Sequence, residues 1–155
     1  MQHCHGFFTN FVRRQASETM EFVKTFKADA AAIGREINIF TQGHVVCRPT
    51  RKEAEEYYQY FTTEGADFEA IDEILRLKNI TRQNTPDYDE RRRAVPLRNI
   101  GFPIVGTPDD VVEKLAEIHS IGISGIAFSL INYVKETPYL VQEVLPRLQR
   151  MGLRV

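Results

Sequence analysis

Apolar positions along this chain switch repeatedly between two spacings. From Cys4 to Thr9 the run CHGFFT is short and aromatic, the pattern of a buried strand. From Glu18 to Gly34 the residues Val23, Phe26, Ala30 and Ile33 recur three and four apart, which gathers them on one helical face, and Gly34 supplies a stop. Between Ile37 and Cys47 the segment INIFTQGHVVC has no helical period and is rich in β-branched and aromatic residues, so a strand is predicted. Thr50 and Glu53 then read as a capping box opening a helix that carries Ala54, Tyr57, Tyr58 and Phe61. A further helical stretch spans Ala66 to Leu77, with Phe68, Ile71 and Leu75 on one side.

From Asn79 to Asn99 the chain is polar, holds two prolines and shows no period, so an exposed loop is predicted. The triple Arg91, Arg92, Arg93 within it reads as a solvated turn, with anion binding as the lesser reading. The last third is more legible. Phe102 to Val105 is a short strand. Gly106, Thr107, Pro108, Asp109 and Asp110 then give a turn, an N-cap, a proline at the first helical position and an acidic first turn. Val111, Leu115 and Ile118 form the stripe of that helix, and Gly122 stops it. GIAFSL, Gly125 to Leu130, reads as a buried strand of the parallel-sheet kind. A final helix is predicted with Thr137 as cap, Pro138 in its first turn and Val141, Val144, Leu145 and Leu148 facing inward.

Alternation of strand and helix argues for parallel strands joined by helical crossovers, the α/β class. Neither GxGxxG nor GxxxxGK[ST] occurs, so a (β/α)8 barrel is preferred to a nucleotide-binding doubly wound sheet. The length of 155 residues, with 43% hydrophobic and 26% charged, fits one globular domain. Twenty Lys and Arg against twenty-one Asp and Glu leave no charge excess to attract nucleic acid or an anionic membrane. Cys4 and Cys47 are the only cysteines, too few for a disulfide framework or a zinc site, and His3, His5 and His119 lack partners at metal-ligand spacing. With no signal-peptide pattern and no long apolar run, a cytoplasmic location is expected.

Several segments together resemble the bacterial luciferase-like, flavin-dependent monooxygenases. They are GFPIVGTPDDV (Gly101 to Val111), GISGIAFS (Gly122 to Ser129), VLPRL (Val144 to Leu148) and MGLR (Met151 to Arg154), with HVVCRPT and the Glu53-Ala54 pair in the middle and HCHGFFT near the start. The resemblance implies a partial (β/α)8 barrel, because such a barrel takes about 250 residues, and residues 1–155 match its C-terminal portion. It implies an oxidoreductase that oxygenates a small organic substrate with O2 and reduced FMN, delivered by a separate flavin reductase, in a chain that oligomerises. The flavin phosphate site of the family lies largely before the strand matching Cys4 to Thr9, so the chain alone is expected to bind FMN weakly or not at all. A noncatalytic truncated chain, or a subunit supporting another barrel, is the alternative.

Site residues follow from the same resemblance. His44 falls where the alkanesulfonate branch carries a histidine near the flavin, and an imidazole there suits proton traffic near neutrality; read from its strand alone, His44 is first a hydrogen-bonded interior histidine. Gln42 stands where that branch has an arginine, and a neutral amide cannot pair bidentately with a sulfonate. Arg98 lies near the branch's substrate-clamping arginine, and its plainer reading is a solvated side chain. Tyr133 can present a phenol at the barrel mouth or simply pack at the rim. Cys47, set in an apolar strand, reads as core.

Overall fold

The computed structural model describes residues 5–9, 16–98 and 101–154. Its sheet contains β1 (Gly6–Phe8), β2 (Asn38–Cys47), β3 (Phe102–Gly106) and β4 (Gly125–Ser129), and every pairing is parallel. Cys4, with which the first strand was expected to begin, lies outside the described residues. β2 is the axis of the sheet. β1 pairs with its residues 38–40, β3 with 43–47 and β4 with 40–44. The Thr9 amide donates to the Phe40 carbonyl at 2.8 Å and the Arg48 amide to that of Gly106 at 3.1 Å, whereas the Ser124 amide donates to the Ile39 carbonyl at 2.6 Å. Successive residues of a strand turn their backbone groups to opposite edges, so β1 and β3 share one edge of β2 and β4 takes the other. Among the described residues β4 pairs with β2 alone, and the sheet is open, an arc of a barrel.

The helices are α1 (Ala16–Ala32), α2 (Arg51–Thr62), α3 (Phe68–Leu77), α4 (Tyr88–Arg98) and α5 (Pro108–Ser120). After β4, α6 (Tyr133–Tyr139) runs through a π-helical turn (Leu140–Val144) into α7 (Leu145–Arg150). Two starts rest on capping boxes, the one at α2 as expected and the one at α5 where an N-cap was expected. At α2 the Glu53 amide donates to Thr50 Oγ1 at 3.2 Å while the Glu53 carboxylate accepts from the Thr50 amide at 3.0 Å. At α5 the Asp110 carboxylate likewise accepts from the Thr107 amide at 2.9 Å, with Pro108 next in line. One face of the sheet carries the main core, where Ile39, Val45, Cys47 and Ile104 meet Val23 of α1, Val111 and Leu115 of α5, and Val144 and Leu148 beyond α6. Gly101 lets β3 start flat against β2: its φ is +117°, and a Cβ there would lie 3.0 Å from the Gly43 carbonyl carbon.

Several expectations are corrected; Phe8, Ala127 and Val141, expected in buried strands or on an inward helix face, are exposed. The segment 79–99 is not a loop throughout, because residues 88–98 form α4. That helix lacks an apolar stripe and is fastened by tertiary contacts instead. Arg92 binds the Asp72 carboxylate at 2.9 Å and covers the Phe68 ring at 4.4 Å, and the Tyr88 hydroxyl donates to Asp72 at 3.0 Å. With Arg91 on Asp87 at 2.9 Å, two of the three consecutive arginines are tied to acidic neighbours of the same hairpin. The last helix starts at Tyr133 and not near Thr137. Its cap is Asn132, whose side chain accepts from the Lys135 amide at 3.1 Å while the Glu136 carboxylate accepts from the Asn132 amide at 3.1 Å. Pro138 therefore sits inside α6, where it removes one backbone bond beside the exposed Val134, and the π turn precedes Pro146, which has no amide to donate. Finally, Ile33 is exposed in the turn after α1 and belongs to no buried stripe.

Candidate functional site

Side chains alternate across β2, so Val45 and Cys47 enter the core while Phe40, Gln42, His44 and Val46 share the opposite face. Along that face the environment changes. At its lower end Phe8 of β1 stands directly beside Phe40, and both rings are exposed. Gly6 and Gly125 flank the Phe40 ring so closely that a Cβ at either would lie 2.9 Å from it. One step up, half-buried Gln42 is paired with the exposed Ala127. At the upper end His44 lies between Pro103 of β3 and Ser129 of β4 in register, with the Phe61 ring of α2 edge-on at 5.1 Å.

This enclosure makes His44 unusual. It is 1% exposed, its Nδ1 is 3.1 Å from Ser129 Oγ, and its Nε2 is buried without a hydrogen-bond partner among the described residues. Burial pushes its pKa below the ordinary 6.5, partly opposed by the negative charge of Glu136. The ring is therefore neutral near pH 7.

A cleft of about 440 Å3 opens beyond the C-terminal end of β2 and is lined by Arg48, Tyr57, Asn132, Lys135, Glu136 and Tyr139, among others. Ligand sites of parallel α/β sheets lie at this end of the strands. Glu136 is nearly buried and accepts from Arg48 Nη2 at 2.7 Å. Arg48 also donates to the Cys47 carbonyl at 2.9 Å and lies 4.0 Å over the Tyr57 ring. Burial and the Glu136 charge push the Tyr57 phenol up. Cys47 is core, and burial raises its thiol to about 11. A second groove, of about 240 Å3, runs between α5 and α7 on the core side of β4 and is lined by Leu115, Ile118, Ile126, Phe128 and Leu148.

The structure thus puts His44 and Gln42 on one face of one strand. Tyr133 opens α6 and is 57% exposed, at the same end of the sheet but not in the cleft lining. Arg98 closes α4, and its side chain lies outside the described residues. Ser129, Arg48, Glu136 and Phe61 were not foreseen. Ser129 carried a usable signal, a hydroxyl inside an otherwise apolar strand. Among the described residues no three His, Cys, Asp or Glu side chains could together hold a metal ion, and no helix is long and apolar enough to cross a membrane.

The sequence pattern of the luciferase-like monooxygenases matches residues 1–125. No curated protein matches the chain. Among solved structures it resembles DmoA from Hyphomicrobium sulfonivorans (TM-score 0.80, 16% identity, 98% of this chain and 38% of that one). It also resembles the long-chain alkane monooxygenase LadA (TM-score 0.71, 22% identity, 99% and 38%). A third likeness is to the riboflavin lyase RcaE, solved with modified FMN and its substrate riboflavin (TM-score 0.72, 19% identity, 99% and 40%). The chain spans about two-fifths of the length of each.

Proposed function

The chain belongs to the luciferase-like monooxygenase family, and from that premise we propose that it forms part of a flavin-dependent oxidoreductase that oxygenates a small organic substrate with O2 and reduced FMN. The observation that carries this reading is His44, neutral, buried and, among the described residues, with no partner for Nε2, at the C-terminal end of a parallel strand. Residues on that face suit a flat aromatic cofactor. Phe8, Phe40 and Ala127 offer an apolar surface, and His44 lies further up the same face with its ring buried. Bound reduced FMN supplies the reaction with O2, and a separate flavin reductase supplies the reduced FMN. This chain's residues have simpler tasks. His44 holds or takes a proton, Phe61 keeps water from it, and Gln42 faces the substrate without charge. A neutral amide at position 42 favours an uncharged substrate over a sulfonate. Arg98 and Tyr133 are assigned to the substrate side of the site, and the assembly is cytoplasmic and oligomeric.

A second reading is a noncatalytic chain or partner subunit. It is favoured by the exposed Phe8 and Phe40 on an open sheet. Fluorescence titration with FMN separates the two. We expect the 155-residue chain to bind FMN weakly by itself and to bind it tightly once the remaining strands of a barrel are supplied. In that completed barrel His44→Ala lowers turnover by about 10²-fold or more, while Cys47→Ala leaves it nearly unchanged. Equal activity of the His44 variant and the parent overturns the assignment of His44.

A further inference from the structure

We propose that the cleft beyond the C-terminal end of β2 is a binding site for an organic monocarboxylate with a flat apolar body, held through Lys135 and Tyr139. Of the polar groups that line it, Arg48 is committed: it donates to the Glu136 carboxylate at 2.7 Å and to the Cys47 carbonyl at 2.9 Å, and it lies over the Tyr57 ring. Glu136 is committed as well, one oxygen to Arg48 and the other to the Asn132 amide at 3.1 Å. What remains are donors. Among the described residues the Lys135 ammonium has no ion-pair partner and the Tyr139 hydroxyl no hydrogen-bond partner. The Asn132 side chain uses its oxygen to accept from the Lys135 backbone amide, which leaves its NH2 group free.

Free donors call for an acceptor. Two cations, Arg48 and Lys135, against the one carboxylate of Glu136 leave a single net positive charge among the lining residues, and it sits on the exposed Lys135. One uncommitted ammonium matches a monoanion, whereas a phosphate dianion would stay half compensated. The two oxygens of a carboxylate offer enough lone pairs for ammonium, phenol and amide together. The walls set the rest of the ligand. Tyr57, Tyr139 and Pro49 present ring surface, and aromatic rings favour a flat partner. A cavity of about 150 Å3 already holds a benzene ring, so the cleft of about 440 Å3 takes a ring together with its carboxylate. Cys47, which also lines the cleft, turns to the opposite face of β2 from His44 and Gln42, so carboxylate binding here does not rest on the oxygenase reading given above.

Titration of the 15N-labelled chain with benzoate, followed by 1H–15N correlation NMR, tests it. Benzamide, the neutral isostere, and inorganic phosphate are the comparison probes. The expected result is saturable shifts at the Arg48, Asn132 and Lys135 amides, with millimolar or tighter affinity for benzoate and clearly weaker binding of the other two. Losing one charge-assisted bond costs about tenfold in affinity. Lys135→Gln should therefore weaken benzoate by about that factor, while Lys135→Arg, which keeps the charge, stays close to the parent. Tyr139→Phe should weaken it by about fivefold. Absence of saturable shifts overturns the proposal, as does equal binding of benzamide or of phosphate, or a Lys135→Gln chain that binds benzoate like the parent. If a variant does not fold, the comparison of the three probes on the parent chain decides. The assay contains no flavin, so a failed FMN titration leaves this site standing and a failed benzoate titration leaves the oxygenase reading untouched.

Discussion

Removing Glu136 should loosen the C-terminal end of the sheet by an amount that can be worked out. Its carboxylate is 8% exposed and accepts two bonds, from Arg48 Nη2 at 2.7 Å and from the Asn132 amide at 3.1 Å, the first tying β2 to α6 and the second closing the α6 cap. Losing a helix-cap bond costs about 1 kcal/mol. Stranding one partner of a buried ion pair costs about 3–5 kcal/mol, and Arg48 keeps 24% of its side-chain surface in water, so the lower part of that range or less applies. Glu136→Leu should therefore destabilise by about 3 kcal/mol, and Glu136→Gln, which keeps an oxygen for the cap, by about 1.5 kcal/mol. In urea unfolding, with a slope of about 2 kcal/mol/M, the midpoints fall by about 1.5 M and 0.75 M. Arg48→Met strands the buried carboxylate and should cost about as much as Glu136→Leu, while the double variant costs clearly less than the two together. A cycle that closes additively refutes the reasoning, as does a Glu136→Gln midpoint within about 0.2 M of the parent. The same variant has a second readout. Glu136 is the charge that favours protonated His44, so the His44 pKa followed by NMR must fall further in Glu136→Gln.

Two other outcomes follow from burial. His44 has its pKa lowered in the folded chain, so on acidification the unfolded chain takes the proton first. Stability from its neutral burial is complete above about pH 6.5 and is lost as pH falls below it, until the folded form titrates too. Urea midpoints between pH 8 and 5 should show this fall in the parent and a flatter profile in His44→Gln; Asp72 and Asp110, whose carboxyls are held below their ordinary 3.8 by Arg92 and by the Thr107 amide, act only at lower pH. Cys47, its thiol raised to about 11, should resist a thiol reagent at pH 7.5 in the folded chain and react fully once urea unfolds it; fast labelling of the native chain at that position contradicts its place in the core.

The strands were readable because β-branched and aromatic runs such as INIFTQGHVVC commit the backbone locally, and α2 and α5 because their capping boxes satisfy amide groups within four residues of chain. α4 was not readable, since what holds it is a bond between Arg92 and Asp72, twenty residues apart, and not a stripe of its own. The start of α6 was misplaced for a related reason. Pro138 looks like the first residue of a helix, yet Asn132 and Glu136 had already capped one, and the bond between Glu136 and Arg48 that fixes its position joins residues 88 apart. In the site, His44 stood out as a polar residue in an apolar strand and Gln42 only through the family resemblance, while Ser129 gave the strand signal more faintly because only the register of β2 with β4 reveals its partner.

β2 therefore does two things at once, and its period of two keeps them apart. Val45 and Cys47 fill the core, and His44 and Val46, alternating with them in sequence, face the other way under α2. A slip of one residue in its pairing would exchange the two sets, placing an imidazole among Val111, Leu115 and Val144 and two apolar side chains at the mouth of the site. Such a slip is opposed three times over: by β1 and β3 on one edge, by β4 on the other, and by Gly101, which fits against Gln42 and Gly43 only where no side chain intervenes. The position of His44 is thus set by the same contacts that stabilise the sheet.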